Sequence, residues 1–152
     1  MSKVDISVQG IAKPKWSKKL AGYCRKILKN MGKRNWEVSI LLCDNRSMTE
    51  LNGRYRGLSY PTDVLSFSQA GGPSLTSNRI AGDIVICLEQ VKKNAGSYSV
   101  SFSDELKRVL VHGLLHLTGM DHENDGDSSE MFRIQDGLLD SVSGDSNSHF
   151  DP

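Results

Sequence analysis

The stretch Val109-Leu110-Val111-His112-Gly113-Leu114-Leu115-His116-Leu117-Thr118-Gly119-Met120-Asp121-His122 decides how the rest of the chain is read. It holds three of the four histidines in the 152-residue sequence, spaced H-x3-H-x5-H. On a helix, His112 and His116 share one face about 6 Å apart, so both imidazoles can reach one metal ion. Gly119 is the residue type that ends a helix in a left-handed turn, and the returning chain then brings His122 to a third corner. Three neutral imidazoles with a vacant fourth position describe a catalytic rather than a structural zinc site. The competing reading, three unrelated histidines satisfied in the core, explains neither the shared spacing nor the glycine at the hinge.

The flanks strengthen this reading. Leu106, Leu110, Gly113 and Leu117 form one helical stripe, and Val109, Val111, Leu114 and Leu115 extend it most of the way round. A helix apolar on nearly every side belongs at the centre of its domain. The pattern predicts a central helix over Phe102 to Thr118, with Ser103 as N-cap and Asp104 and Glu105 in an acidic first turn.

Working outward, the length predicts one domain with a real core. A charged fraction of 24% and an apolar fraction of 38% are those of an ordinary water-soluble chain. The net charge of +1 hides an asymmetry. Basic residues crowd the segment from Lys13 to Arg34, and acidic ones gather from Glu123 to Asp145. Such a basic segment is either a solvated helix face or a surface for nucleic acid. Cys24, Cys43 and Cys87 form no C-x-x-C pair and no disulfide framework; Cys43 and Cys87 sit in apolar runs and read as small core residues. No signal peptide and no apolar run of membrane-spanning length is evident, so a cytoplasmic location is expected and no membrane partner.

In chain order, Val4, Ile6 and Val8 alternate as a short strand. Lys15 to Asn30 reads as a helix with Trp16, Leu20, Tyr23, Cys24, Ile27 and Leu28 buried. Trp36 to Cys43 reads as a strand. Ser47 and Glu50 form a capping box opening a helix that runs to Tyr55, and 54–63 reads as a loop. Val64 to Phe67 is a third strand, and Gln69 to Asn78 is a Gly/Ser-rich loop. Arg79 to Leu88 is a fourth strand interrupted at Gly82-Asp83. Glu89 to Ser97 reads as a helix, and Ser128 to Leu139 as the last one, with Met131, Ile134, Leu138 and Leu139 apolar. Residues 141–152 are polar and expected to be disordered, with His149 silent among them. The expected fold is α+β: one domain over residues 1–140, an approximately four-stranded mixed sheet, several helices, and the histidine helix buried at the centre. The direct succession of the third and fourth strands predicts an antiparallel pair.

The histidine spacing matches the zinc motif of metzincin proteases, which carry Glu after the first His as general base. Gly113 stands there instead, and peptide hydrolysis loses its usual base. A helical glycine costs about 1 kcal/mol against alanine. It serves either close packing against a neighbour or room for a bulky substrate beside the metal. Phosphodiester cleavage remains within reach, because a metal and an arginine stabilise charge spread over phosphoryl oxygens.

Three blocks then carry a family resemblance. His112-Gly113-Leu114-Leu115-His116-Leu117-Thr118-Gly119-Met120-Asp121-His122 resembles the H-G-x-L-H-L-x-G-Y-D-H signature of the YbeY family of bacterial endoribonucleases and rRNA maturation factors. Leu51-Asn52-Gly53-Arg54-Tyr55-Arg56 with Pro61-Thr62-Asp63-Val64-Leu65-Ser66-Phe67 is similar to its L-N-x-x-Y-R and P-T-[DN]-V-L-S-F blocks. Ala81-Gly82-Asp83-Ile84-Val85-Ile86 is similar to its G-D-I-v-I strand. The resemblance implies one zinc ion held by His112, His116 and His122, and a functional arginine at Arg56. It also implies metal-dependent cleavage of single-stranded RNA, acting in 16S rRNA 3′-end maturation, small-subunit assembly and ribosome quality control. The implied partners are rRNA, the small ribosomal subunit and assembly factors, with DNA not expected.

Met120 departs from the family's tyrosine, Ser68 from a proline, and Ser59-Tyr60 from a charged pair; none removes a ligand. Asp121 reads equally as a residue orienting a ligand imidazole or as part of the turn. Asp63, Asp83 and Asp121 are candidates for the general base. Two rival functions are a zinc peptidase or amidase on the same ligands, and a non-catalytic ribosome-assembly protein with a structural metal.

Overall fold

Val4, Ile6 and Val8 alternate with polar neighbours and build the first strand, Lys3–Gln9 (β1). The computed structural model describes residues 1–68, 81–120, 128–144 and 149–152. After β1 comes Ser17–Asn30 (α1), which buries Leu20, Tyr23, Cys24, Ile27 and Leu28 on one stripe. Then follow Glu37–Cys43 (β2), Asn45–Arg56 (α2), Val64–Ser68 (β3), Ala81–Cys87 (β4), Leu88–Tyr98 (α3), Phe102–Leu117 (α4) and Ser128–Ser141 (α5). The strands form one sheet in the order β1-β2-β4-β3. β1 and β4 both run parallel to β2, while β3 runs antiparallel to β4. This is the mixed four-stranded α+β domain that the sequence predicts, with the expected antiparallel pair.

Side-chain alternation gives the sheet two different faces. Val38, Ile40, Leu42, Ile84 and Ile86 point into the main core, where they meet α1 and α4. The opposite face carries a smaller cluster, in which Met48 of α2 packs on Cys43, Leu65, Val85 and Cys87. The helix α4 is central, as expected: Leu106, Leu110, Val111 and Leu114 are fully buried. Each such side chain contributes about 1.5–3 kcal/mol through burial. No helix among the described residues is long and apolar enough to cross a membrane.

Several local expectations need correction. The N-cap of α4 is Ser101, whose side chain accepts from the Asp104 N–H at 3.0 Å, so Ser103 is not the cap. In α2 the cap is Asp44, accepting from the Ser47 N–H at 3.0 Å; the helix starts before the proposed capping box and continues to Arg56. β4 is unbroken, since Gly82 and Asp83 stay in register with Val38 and Ser39. Ile134 of α5 is turned outward and 36% exposed. The Gly/Ser-rich run 69–78 lies outside the described residues.

The largest correction concerns the tail. Residues 141–152 are not wholly disordered, because Phe150 is 1% exposed. Its ring sits 5.4 Å from that of Trp16 and 6.1 Å from that of Tyr23, between α1 and α4. The Phe150 N–H donates to Ser103 Oγ at 3.1 Å, and the Trp16 indole N–H donates to the Asp151 carbonyl. Average polarity pointed to disorder, but one aromatic side chain with a waiting aromatic pocket outweighs it. His149 is exposed and pairs locally with Asp151 at 2.9 Å. Phe150→Ala is expected to cost about 3 kcal/mol of stability, read as a lower urea midpoint; an unchanged midpoint would restore the free-tail expectation.

Candidate active site

The cleft beside α4 is built from every fourth residue of that helix. Arg108, His112 and His116 lie one above the other and are half-buried, while the stripe behind them enters the core. Position 113 sets how close this helix lies to the sheet. A Cβ there would come within 3.1 Å of Ser66 Oγ and 3.2 Å of Ile84 Cγ2. Ser66 Oγ also donates to the Gly113 carbonyl at 3.2 Å. The open choice between packing and substrate room is thereby resolved: Gly113 lets α4 press on β3 and β4. A protease-type glutamate at this position would run into the sheet. Past Leu117, the Gly119 N–H donates to the His116 carbonyl at 3.0 Å with φ at +92°, the left-handed turn expected there.

The two histidine rings converge. Their centroids are 4.5 Å apart at 77°, and Nε2 of His116 stands 3.0 Å from Nε2 of His112. Two ligand nitrogens on a tetrahedral zinc at roughly 2.0–2.1 Å would be about 3.3 Å apart, so the pair fits such an ion with a small adjustment. Gln135 of α5, only 2% exposed, has its Oε1 3.0 Å from Nδ1 of His112. An Nδ1–H donated to that carbonyl leaves the Nε2 lone pair facing His116, the tautomer a metal ligand needs. The Phe132 ring stacks on His112 at 6.4 Å. His122 and Asp121 lie outside the described residues. Among the described residues, no group of three or more His, Cys, Asp or Glu side chains is arranged to hold a metal.

Arg56 reaches the same cleft from the C-terminal end of α2. The space, about 680 Å³, is lined by Arg56, Asp63, Ser66, Arg108, His112 and His116 among others. The favourable end of the α2 dipole supports the arginine there. Asn52, fully buried, donates from its side chain to the Tyr60 carbonyl at 2.8 Å and so fixes the loop after Arg56. That loop leads to Asp63, whose carbonyl accepts from the Cys87 N–H at 2.9 Å and whose carboxylate accepts from Asn94 at 3.3 Å. Of the three candidate bases, Asp63 lines the cleft. Asp83 instead lines depressions with Ser39 elsewhere on the sheet.

Three side chains at or behind the cleft were missed from sequence: Gln135, Arg108 and its partner Glu105. The spacing 108-112-116 was a usable signal for Arg108. No local signal marks Gln135, because only the docking of α5 on α4 brings it to His112.

With this geometry in view, comparison with known proteins is decisive. The family model described as Endoribonuclease YbeY matches residues 4–143. The chain belongs to the YbeY family. An Endoribonuclease YbeY of Petrotoga mobilis is 47% identical over 122 residues, covering 79% of this chain and 81% of that protein. One from Treponema pallidum is 39% identical over 142 residues, covering 91% and 89%. The solution structure of TM1509 from Thermotoga maritima superposes with a TM-score of 0.64 at 29% identity, covering 98% of this chain and 97% of that one. The family's L-N-x-x-Y-R block here does two jobs: Asn52 latches the loop and Arg56 lines the cleft.

Gly113→Glu is expected to lose about 2–4 kcal/mol, since it overpacks the α4–sheet contact and buries a carboxylate. Thermal melting checks this; a variant as stable as the parent would mean that the helix does not rest on the sheet at this point.

Proposed function

We propose that the chain is a zinc-dependent endoribonuclease that cuts single-stranded RNA. We place its action in cytoplasmic 16S rRNA 3′-end maturation, small-subunit assembly and ribosome quality control, with rRNA, the small subunit and assembly factors as partners. The observation that carries this reading is one cleft lined by a converged imidazole pair and Arg56, in a chain that belongs to the YbeY family.

In this reading His112, His116 and His122 hold the metal. Held there, a zinc ion would supply Lewis acidity toward a phosphoryl oxygen. Arg56 binds the scissile phosphate and neutralises charge as it builds on the non-bridging oxygens. Gln135 keeps the proton on Nδ1 of His112, so that Nε2 faces the site. Asp63 is the proton acceptor we assign, being the carboxylate that lines the cleft among the described residues. Gly113 disfavours peptide hydrolysis, because the position where a protease carries its glutamate has no carboxylate and even a Cβ there would crowd Ser66 and Ile84.

The zinc-loaded protein is expected to cut an unstructured RNA and leave casein intact, to lose that activity on chelation, and to regain it with zinc. Arg56→Ala should lower the rate roughly 100-fold while keeping the metal. Casein cleavage without RNA cleavage would replace this reading with a peptidase. An Arg56→Ala protein that cuts RNA and assembles ribosomes as the parent does would favour the non-catalytic assembly role. Gln135→Leu should weaken zinc binding about 10- to 100-fold, measured by competition with a chromogenic chelator; unchanged affinity would remove Gln135 from the site.

A further inference from the structure

We propose that the cleft contains a second anion subsite, centred on Arg108, which takes the RNA backbone phosphate next to the scissile one. This rests on the endoribonuclease reading above. Arg108 lies one helical turn before His112, on the same face of α4, and lines the cleft together with Arg56. That offset, about 6 Å along the helix, sets it beside the converged imidazoles instead of between them.

Arg108 differs from a loose surface cation. Its Nε and Nη2 donate to the two oxygens of Glu105 at 2.8 and 2.5 Å. Glu105 is 1% exposed, so the grip comes from the buried side. The Tyr98 ring lies 5.9 Å from the guanidinium carbon. A two-point carboxylate contact fixes the plane of the guanidinium and costs it no further ordering when a ligand arrives. The hydrogen bond to Glu105 also raises the Arg108 pKa, which keeps the group cationic.

Arginine carries five N–H donors, and Glu105 engages one edge of the fork. Asp63 Oδ2 forms a longer ion pair with Nη2 at 3.9 Å, which takes up no N–H donor. The remaining donors suit the paired oxygens of a phosphate. Glu105 is therefore a positioning residue, acting on the ligand through Arg108.

The test is binding of a fluorescent, unstructured oligoribonucleotide to the metal-free full chain, titrated over a range of salt concentrations. Arg108→Gln should weaken binding about tenfold and reduce the slope of log affinity against log salt by about 0.7. Arg108→Lys should keep the parent slope while losing part of the affinity. Because Arg108→Gln leaves Glu105 buried without its cation, the double variant Glu105→Gln/Arg108→Gln, which buries a neutral pair, is measured as well. It should match the single variant in affinity and slope. Parent-like affinity and slope in the double variant, or a slope in Arg108→Lys as low as in Arg108→Gln, would overturn the subsite. Failure of the parent chain to bind RNA at all would instead defeat the endoribonuclease reading.

Discussion

The contact on which the rest of this structure depends is the approach of α4 to the sheet at Gly113. With no side chain there, the helix backbone comes close enough for Ser66 to hydrogen-bond the Gly113 carbonyl and for Ile84 to pack within 3.2 Å of where a Cβ would stand. Leu106, Leu110, Val111 and Leu114 then bury themselves fully around it. This burial makes α4 a rigid rail, and a rigid rail is what holds two imidazoles 3.0 Å apart at their Nε2 atoms. The glycine that removes a protease's base is therefore the same glycine that positions the histidines.

Two of the polar groups on the cleft face of α4, His112 and Arg108, are engaged from behind. Gln135 meets Nδ1 of His112, and Glu105 meets the Arg108 guanidinium. Both partners are almost wholly buried, so an unpaired group in either place would carry a desolvation penalty of a few kcal/mol. Pairing on the protein side turns Nε2 of His112 toward His116, and the Arg108 side chain lines the cleft. On the other wall, Asn52 fixes the loop between Arg56 and Asp63, and the Cys87 N–H ties that loop to the end of β4. The two walls are thus anchored to the same sheet.

Some of this was legible in the chain itself. Strand alternation around Val4 and Val38, the 3.6-residue stripe of α4 and the left-handed turn at Gly119 are local effects, and local patterns report them faithfully. Cap positions were misjudged at Ser103 and Ser47, because Ser101 and Asp44 compete for the same helix ends and only the folded backbone selects between them. The tail was misjudged because composition averages over Phe150, whereas the pocket made by Trp16 and Tyr23 recognises that single residue. The role of Gly113 stayed open, since the same glycine fits a packed helix and a roomy site until the neighbouring strands are in place.

The sequence by itself determined the α+β class, the central helix and the spacing that puts His112 and His116 on one face, for all three follow from periodicity along a chain. The tertiary structure alone decided that Gly113 serves packing, that Gln135 orients His112, and that Arg56, Asp63 and Arg108 share one cleft. Those facts depend on segments far apart in sequence meeting across a sheet order of β1-β2-β4-β3. Their physical reason is that burial and hydrogen-bond pairing are satisfied between elements, where no local pattern records which partner will be met.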